Sequence, residues 1–281
     1  MIEINAYAKI NLHLDVIEKR GDGFHNIVSY MQTVSLCDTV TLERSEKIQV
    51  VGNYGVDEKK DLAYRAAQLF FDSTGIPSGV TVKIDKRIPM QGGLAGGSAD
   101  AAAVLKGLNE LYSAGLSMEE LASLGGSLGS DIPFCVLGGG KLARSRGEIL
   151  TDAPRMPDCW IVIAKRRGEG MSTPAQYGIL DSLYNDFDGY EPKTEKLNAL
   201  MGAINANDIR GVGENLFNIF EQTCGCDGDS ANIMKKQGAL GVLLSGSGSA
   251  VFGIFEDINA AKEAENQLKS IGIDTFLCVP V

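Results

Sequence analysis

The sequence predicts an α+β protein of two domains that meet near residue 155. The chain has 281 residues, and a usual domain size of about 150 residues allows two domains, each with its own core. The first half reads as strands, a glycine-rich loop and helices, whereas the part from Trp160 onward follows the order β-α-β-β-α-β. A stretch with Pro154 and Pro157 separates the halves. We therefore expect domains at residues 1–155 and 156–281, the second of them ferredoxin-like.

The first seventeen residues alternate between apolar and polar side chains, which predicts a strand with one buried face. The apolar face runs from Ile2 to Val16. The other face brings Lys9, Asn11 and His13 into a row with a spacing of about 7 Å, twice the rise per residue of a strand. Two interpretations of this row stay open: the solvated face of an edge strand, or a row of functional side chains.

The next segments predict two further strands, a helix and another strand. Strand-like residues occupy 40–42 and 48–51. Apolar residues at helical spacing then follow Asp61, which suits an N-cap, and end at Gly75. Residues 80–84 alternate again as a strand. This order leads directly into a glycine-rich loop.

The glycine-rich loop from Gly92 to Ser98 precedes a helix of small and apolar residues. Free N–H groups at a helix N-terminus, together with the positive end of the helix dipole, suit a phosphate. The loop is not a P-loop, because Ser98 and Ala99 stand where that motif needs Lys and then Ser or Thr. It also lacks the dinucleotide fingerprint G-x-G-x-x-G. We expect an anion site here, and the alternative is a turn that lets the helix pack closely on the sheet.

Two helix starts and a second glycine-rich turn complete the pattern. Ser117 and Glu120 form a capping-box sequence, and Asp131 stands where another helix is expected to begin. The turn at residues 245–249 reads SGSGS and is either a plain hairpin turn or a functional loop. The second domain is expected to have strands at 160–164, 241–245, 250–255 and 274–279, helices within 172–224, and a helix at 259–270.

Composition and charge exclude several classes of protein. The chain has 26 Lys and Arg against 36 Asp and Glu, a formal charge of −10, which excludes a general nucleic-acid binder. No run approaches the roughly 18 apolar residues of a membrane span, and the N-terminus, with Glu3 and Lys9, lacks a signal-peptide core. We therefore expect a cytoplasmic protein without membrane contact. Six cysteines without a C-x-x-C pair and two histidines are poor material for a structural zinc site.

Three ordered segments, at residues 7–12, 89–102 and 244–252, resemble the motifs of the GHMP kinases, the galactokinase, homoserine kinase, mevalonate kinase and phosphomevalonate kinase relatives. They read YAKINL, PMQGGLAGGSADAA and LSGSGSAVF. Three motifs in order across nearly the whole chain are far more specific than one glycine-rich loop. The resemblance implies the GHMP kinase two-domain fold, in which the N-terminal part is ribosomal protein S5 domain 2-like and the C-terminal part is ferredoxin-like.

Further segments are similar to one branch of this family. These are RGDGFH at 20–25, GSDIPF at 129–134, STPAQY at 172–177 and LFN at 216–218. That branch uses ATP to phosphorylate the 2-hydroxyl of 4-diphosphocytidyl-2-C-methyl-D-erythritol in the non-mevalonate route to isoprenoids, and Mg²⁺ accompanies the nucleotide. The resemblance therefore implies these small-molecule partners, and it leaves a monomer and a homodimer equally open.

Carried over residue by residue, the resemblance implies that Lys9 and Asp131 are the catalytic pair. Asp131 would accept or orient the proton of the attacking hydroxyl. Lys9 would keep that carboxylate ionised and offset the charge that develops on the phosphoryl group. Judged by position alone, Asp131 would instead be a helix N-cap.

The resemblance also assigns binding residues. The implied ATP-binding residues are Lys86, Pro89, Met90, Gln91, Gly92, Gly93, Leu94, Ala95, Gly96, Gly97, Ser98 and Ala99. Within this set, Ser98 is a candidate hydroxyl near the metal, and the alternative for Lys86 is a solvated side chain. The implied substrate-binding residues are Asn11, Phe24, His25 and Tyr177. His25 would read the edge of the cytosine, and the two aromatic rings would stack on the base.

A few positions depart from the family pattern. Phe24 stands where Tyr is common, so a phenol hydrogen bond is lost, and Tyr177 stands where Phe is common. Ala95 and Ala99 replace a frequent Gly and Ser, and Asp61 replaces a frequent Asn. Neither proposed catalytic residue is affected.

Two alternative functions follow from the same residues. The first is another small-molecule kinase of this family, of the homoserine or mevalonate type, which the segment at 22–25 disfavours. The second is a nucleotide-binding module without catalysis, which the presence of both Lys9 and Asp131 disfavours.

Overall fold

The computed structural model describes residues 1–52, 55, 57–76, 79–168, 171–224 and 227–281, with the backbone alone at Glu58 and Cys224. The chain forms two compact units. The first unit comprises residues 1–8, 36–90 and 95–138, and the second comprises 9–35, 91–94 and 139–281. These units are defined by compactness and not by family, so the expected domain boundary near residue 155 stays a prediction.

The described part of the chain is a mixed α and β structure. Its strands are β1 Ile2–Lys19, β2 His25–Ser45, β3 Gln49–Val51, β4 Gly79–Asp85, β5 Gly140–Ser145, β6 Ile149–Asp152, β7 Trp160–Lys165, β8 Phe217–Asn218, β9 Gly241–Leu244, β10 Val251–Phe255 and β11 Asp274–Cys278. Its α-helices are α1 Leu62–Thr74, α2 Gly96–Leu111, α3 Met118–Gly126, α4 Ile132–Leu137, α5 Thr173–Leu183, α6 Thr194–Asn205, α7 Ile209–Glu214, α8 Glu221–Cys224, α9 Gly228–Lys236 and α10 Ile258–Ser270. Single 3₁₀ turns lie at Glu58–Lys60 and Asn185–Phe187.

The first unit contains the strand order β3-β4-β2-β1 and the helices α1 to α4. β4 pairs antiparallel with β2, from Thr39 opposite Asp85 to Ser45 opposite Gly79. The helices pack on one another, α2 against α1, α3 and α4. The face that α2 presents to the other helices consists of buried alanine, valine and leucine side chains. The small alanines allow the helices to approach closely. This packing holds the first turn of α2 in place.

The predicted ends of two helices in the first unit are confirmed. The Asp61 side chain accepts a hydrogen bond of 2.7 Å from the Ala63 N–H, and α1 ends at Gly75, which has the left-handed φ of 67° that glycine tolerates best. Ser117 and Glu120 form the expected capping box at the start of α3. The replacement of Asn by Asp at position 61 therefore keeps a capping residue.

The second unit contains an antiparallel four-stranded sheet in the order β11-β7-β10-β9. With helices between β7 and β9 and the helix α10 between β10 and β11, this order confirms the predicted ferredoxin-like arrangement. Its core includes Val162, Leu180, Phe220, Met234, Phe255 and Leu268. The residues of this unit in β8, β1, β2, β5 and β6 pair in that order within the seven-stranded sheet.

The polar row of β1 is buried, so the interpretation as a solvated edge strand is wrong. Lys9 is 4% exposed, and Asn11 and His13 are each 1% exposed. At this row β1 is not an edge strand, because it lies between β2 and β8. Side chains of both neighbours help to cover the row: Ser29 of β2 bonds Asn11, and the Phe217 ring of β8 lies 5.3 Å from the His13 ring. Both β6, which pairs with β5, and the two-residue strand β8 lack a pattern long enough to predict them from the sequence.

Among the described residues, no helix combines the length and the apolar character that crossing a bilayer requires.

The cap at Asp61 gives a stability prediction. The substitution Asp61→Ala removes the acceptor for the first turn of α1 and should lower the free energy of unfolding by about 1 kcal/mol, a fall in Tm of roughly 2–4 °C. The control Asp61→Asn keeps a capping oxygen and should leave Tm nearly unchanged. Thermal unfolding followed by circular dichroism measures both, and an Asp61→Ala protein as stable as wild type would contradict the assignment.

Candidate active site

The first turn of α2 presents backbone donors to an anion. α2 begins at Gly96, and Ala95 at its N-cap offers no side-chain acceptor. The first hydrogen bond of the helix runs from the Ala99 N–H to the Ala95 carbonyl. The N–H groups of Gly96, Gly97 and Ser98 therefore have no acceptor within the helix, and they lie at its positive end. This half of the glycine-rich loop, in the first unit, is suited to bind phosphate.

The other half of the loop, Gln91–Leu94, belongs to the second unit and packs on the hairpin between β9 and β10. The Ser245 hydroxyl donates to the Gly93 carbonyl at 3.1 Å, and the Ala250 N–H donates to the Gly92 carbonyl at 3.2 Å. A Cβ on Gly93 would lie 2.0 Å from the Ser245 carbonyl oxygen, and Gly93 has a φ of +71°. Only glycine fits there, because any side chain would push the loop off the hairpin. The turn at 245–249 is therefore a hairpin that also anchors the loop.

Lys9 lies beside both glycine-rich segments in the second unit. Its backbone N–H donates to the Leu94 carbonyl at 3.2 Å, and a Cβ on Gly246 would lie 3.3 Å from its Nζ. The ammonium donates to Asn11 Oδ1 at 2.6 Å. Among the described residues of its unit, no carboxylate pairs with this buried cation. A buried ammonium with two remaining N–H donors is a strong attractor for an anionic ligand.

The rest of the polar row of β1 carries no positive charge. Burial lowers the pKa of His13 to about 4, so its ring is neutral at pH 7. Burial also raises the pKa of Asp15, although its carboxylate accepts hydrogen bonds from the Tyr190 hydroxyl at 2.8 Å and the Lys193 N–H at 2.7 Å. Lys9 is therefore the cation that this row offers to a ligand.

The segments 172–177 and 216–218, which resemble one branch of the family, hold the hairpin between β9 and β10 in place. Asn218 Nδ2 donates to the carbonyls of Leu244 and Gly246, both at 2.8 Å. The Gln176 amide donates to the Ser247 carbonyl, and the Thr173 and Ser247 hydroxyls are 2.7 Å apart. The hairpin beside Lys9 is thus fixed through three of its carbonyl oxygens and the Ser247 hydroxyl.

Lys86 is held between two carboxylates, so its interpretation as a solvated side chain is wrong. Its Nζ donates to Asp38 Oδ2 at 2.5 Å and to Asp100 Oδ2 at 2.6 Å. Burial lowers the pKa of Lys86, but the two carboxylates outweigh burial and leave that pKa above its ordinary value. Burial raises the pKa of Asp100, whose Oδ1 has no hydrogen-bond partner among the described residues. A Cβ on Gly96 would lie 3.4 Å from Lys86 Nζ, so this cluster supports the start of α2.

Asp131 occupies the N-cap position of α4 but does not cap the helix. Its side chain makes no capping hydrogen bond, and its backbone is in the right-handed helical region instead of the extended region usual for a cap. Pro133 in the first turn has no N–H to be capped. The carboxylate, which is only partly buried, is therefore free of the structural role that the sequence position suggested.

The residues assigned to the cytidine form an aromatic and charged cluster in the second unit. His25 Nε2 lies 2.6 Å from Asp181 Oδ1, and the His25 ring stacks on Tyr177 with centroids 4.4 Å apart. Phe24 is 52% exposed, with the Arg146 guanidinium 4.9 Å from the centre of its ring. Burial alone would raise the pKa of Asp181, but hydrogen bonds from His25 and Lys19 outweigh it and lower that pKa. Tyr177 therefore packs against His25 and supports the position of its imidazole ring.

Sequence reasoning missed several partners of these residues. Among them are Asp38 and Asp100 beside Lys86, Asp181 beside His25, and Ser29, whose hydroxyl accepts a hydrogen bond of 2.7 Å from the Asn11 amide. Asp181 could have been found, because it follows Tyr177 by four residues on α5 and so shares its helix face. Asp100 lies within the glycine-rich motif itself, but its role as a partner of Lys86 is visible only in the structure, where the two side chains are buried together. Ser29 and Asp38 lie on β2, where no sequence pattern distinguishes them.

Comparisons with known proteins agree on one family. Residues 61–139 match the family model described as GHMP kinases N terminal domain, and residues 200–274 match GHMP kinases C terminal. A protein of Listeria innocua named 4-diphosphocytidyl-2-C-methyl-D-erythritol kinase is 39% identical over 99% of this chain and 96% of its own length. A protein of Geobacillus thermodenitrificans with the same name is 39% identical over 98% and 95%. A crystal structure of 4-(cytidine 5'-diphospho)-2C-methyl-D-erythritol kinase superposes with a TM-score of 0.77 at 32% identity, covering 99% of both chains.

The backbone at Ala95 gives a second stability prediction. Ala95 has a φ of +58°, a left-handed conformation that costs a residue with a Cβ about 1 kcal/mol. The substitution Ala95→Gly should therefore raise Tm by roughly 2–4 °C. The control Ala99→Gly, in a buried position within α2, should lower the free energy of unfolding by about 1 kcal/mol or more. Differential scanning calorimetry measures both, and a lower Tm for Ala95→Gly would show that the strain is absent.

Proposed function

Because the chain belongs to the GHMP kinase family, we propose that it transfers the γ-phosphoryl group of ATP to the 2-hydroxyl of 4-diphosphocytidyl-2-C-methyl-D-erythritol. The names of relatives at 39% identity over nearly the full chain support this acceptor. The observation that carries the proposal is the buried ammonium of Lys9, set beside the glycine-rich loop and the second glycine-rich hairpin. The reaction is a step of the non-mevalonate route to isoprenoids, and the cytoplasm is its proposed location.

Phosphoryl transfer asks a protein mainly to position the reactants and to neutralise charge. We assign charge neutralisation to Lys9. Its two unused N–H donors would bind oxygens of the transferred group, and its burial makes each of these bonds stronger than in water. The Gly246 backbone beside Nζ leaves room for those oxygens, because glycine has no side chain to fill the space.

Asp131 is the proposed general base. A base in this reaction accepts or orients the proton of the acceptor hydroxyl. The absence of a capping hydrogen bond on its carboxylate supports this role, because both oxygens keep their acceptor capacity. The proton would pass from the 2-hydroxyl to the Asp131 carboxylate as the oxygen bonds to phosphorus and ADP leaves.

The glycine-rich loop is proposed to bind the phosphates of ATP. The N–H groups of Gly96, Gly97 and Ser98, which have no acceptor within α2, support this assignment. Mg²⁺ takes oxygen ligands and draws several of them from phosphates and water, so the Ser98 hydroxyl is a suitable protein ligand. When bound, Mg²⁺ would neutralise part of the phosphate charge. Lys86 is proposed to act near the nucleotide by supporting the loop, since its own charge is already compensated by two carboxylates.

The cytidine part of the acceptor is assigned to the cluster around His25. A histidine that bonds a carboxylate through one ring nitrogen keeps the other for a base edge. The exposed ring of Phe24 would stack on the base, while Tyr177 would contact it from beside the His25 ring. Asn11 stays a predicted substrate contact, although its amide already bonds two protein groups.

The acceptor prediction is direct. The purified protein should convert ATP to ADP rapidly in the presence of 4-diphosphocytidyl-2-C-methyl-D-erythritol and Mg²⁺, and only slowly without the acceptor. Homoserine and mevalonate serve as the matched controls, in a coupled assay for ADP. If homoserine or mevalonate is phosphorylated and the cytidine compound is not, the chain belongs to another branch of the family. If none of the three is phosphorylated, a nucleotide-binding module is favoured.

The base assignment predicts the effect of one substitution. Asp131→Asn keeps the size of the side chain but removes its basicity, and should lower kcat by roughly 10²–10⁴-fold. Binding of ATP, followed by calorimetry, should stay nearly unchanged because the carboxylate is assigned to the acceptor. Asp208→Asn is the control, since Asp208 caps α7 through the Gly211 N–H and asparagine caps equally well. Turnover near the wild-type value in Asp131→Asn would remove this residue from the catalytic role.

A further inference from the structure

The side chain of Ser29 continues the polar row of β1 from the neighbouring strand. We propose that Ser29 is a positioning residue for Lys9, acting through the amide of Asn11. This inference rests on the proposed function only in that it takes Lys9 to be catalytic. Its structural basis is a chain of three hydrogen bonds within the second unit.

The chain of hydrogen bonds is short and buried. Lys9 Nζ donates to Asn11 Oδ1 at 2.6 Å, and Asn11 Nδ2 donates to Ser29 Oγ at 2.7 Å. Ser29 Oγ in turn donates to the carbonyl of His13 at 2.6 Å. Ser29 is fully buried, and Lys9, Asn11 and His13 are nearly so. Water therefore does not replace any of these partners at low cost.

The number of hydrogens on each group fixes the direction of this chain. A serine hydroxyl has one hydrogen, and the carbonyl of His13 can only accept, so that hydrogen points to His13. Ser29 Oγ can then only accept from Asn11, which turns Nδ2 toward Ser29. The Oδ1 atom is left facing Lys9, whose ammonium has only donors. Lys9 and Ser29 thus require the same orientation of the amide, and Ser29 holds the Nδ2 end of Asn11 so that its Oδ1 end can position the ammonium.

Removing the hydroxyl would release that constraint. Without an acceptor at position 29, Asn11 Nδ2 loses its partner, and the Asn11 side chain is held only by the bond from Lys9 to its Oδ1. The amide can then turn away from its present position and carry the Lys9 ammonium away from Gly246. Loss of alignment by about 1 Å costs up to a hundredfold in rate.

The kinetic test compares Ser29→Ala with wild type in the ATP and acceptor assay. We expect kcat to fall by about tenfold to a hundredfold, while the KM for ATP stays near its wild-type value, because the phosphate-binding backbone is unchanged. Ser230→Ala is the matched control: Ser230 is also fully buried in the second unit and donates to a side chain, Asp227 Oδ2, at 2.7 Å. Ser29→Thr keeps the hydroxyl and should recover most of kcat. A kcat for Ser29→Ala equal to that of Ser230→Ala would overturn the proposal.

A double-mutant cycle separates positioning from simple destabilisation. If Ser29 acts only through Asn11, the substitution Ser29→Ala should lower kcat in the wild-type protein but have little further effect in Asn11→Ala. If the two losses of kcat instead multiply in the double variant, Ser29 does not act through Asn11, and the proposal is contradicted.

A measurement on the unmodified protein makes the test independent of both folding and activity. In the NMR spectrum of wild type, the side-chain amide protons of Asn11 should show cross-peaks to the Hβ protons of Ser29. Cross-peaks to the Hε protons of Lys9 instead would overturn the orientation. Failure of the acceptor assay would refute the proposed function alone, because this readout needs no substrate.

Discussion

The central constraint in the second unit is the burial of the Lys9 ammonium. This group is held almost entirely out of water, and its side-chain hydrogen bond is to Asn11. Removing a charge from water without a counter-ion costs on the order of several kcal/mol. The surroundings of Lys9 limit that cost with oriented dipoles: an amide oxygen from Asn11, itself fixed by Ser29. Gly246 brings backbone close to the charge, since a Cβ there would lie 3.3 Å from Lys9 Nζ.

The two lysines expected to act on ATP are in opposite electrostatic environments. Lys86 has two carboxylates within 2.6 Å, so the group of three carries no positive charge, and the helix N-terminus beside it provides the attraction for an anion. Lys9 has no such compensation within its unit among the described residues. The net charge of −10 is compatible with the proposed phosphate binding, because a small anion needs only local donors such as an ammonium or a set of backbone N–H groups.

Local signals in the sequence predicted most of the fold. Strand alternation located β1, the Asp61 and Gly75 pair bounded α1, and element order identified the ferredoxin-like sheet. Burial of the polar face of β1 was not predictable, because it depends on β2 and β8 lying on either side of it. For the site, family motifs supplied the proposed residues, but their partners come from distant positions: His25 and Asp181 are 156 residues apart. No periodicity reports a contact of that kind.

The contact between the glycine-rich loop and the β9–β10 hairpin is made largely by main-chain groups, with the N–H of Ala250 bonded to the carbonyl of Gly92. Since every residue type except proline carries these groups, the amino acids at such positions can drift over evolutionary time without loss of the junction. Gly93 is different, since its Cα packs on the carbonyl of Ser245. Single substitutions at Gly93, and at Gly246, whose added Cβ would lie 2.9 Å from the Gly93 carbonyl oxygen, are therefore restricted by this contact in a way that the main-chain hydrogen bonds are not.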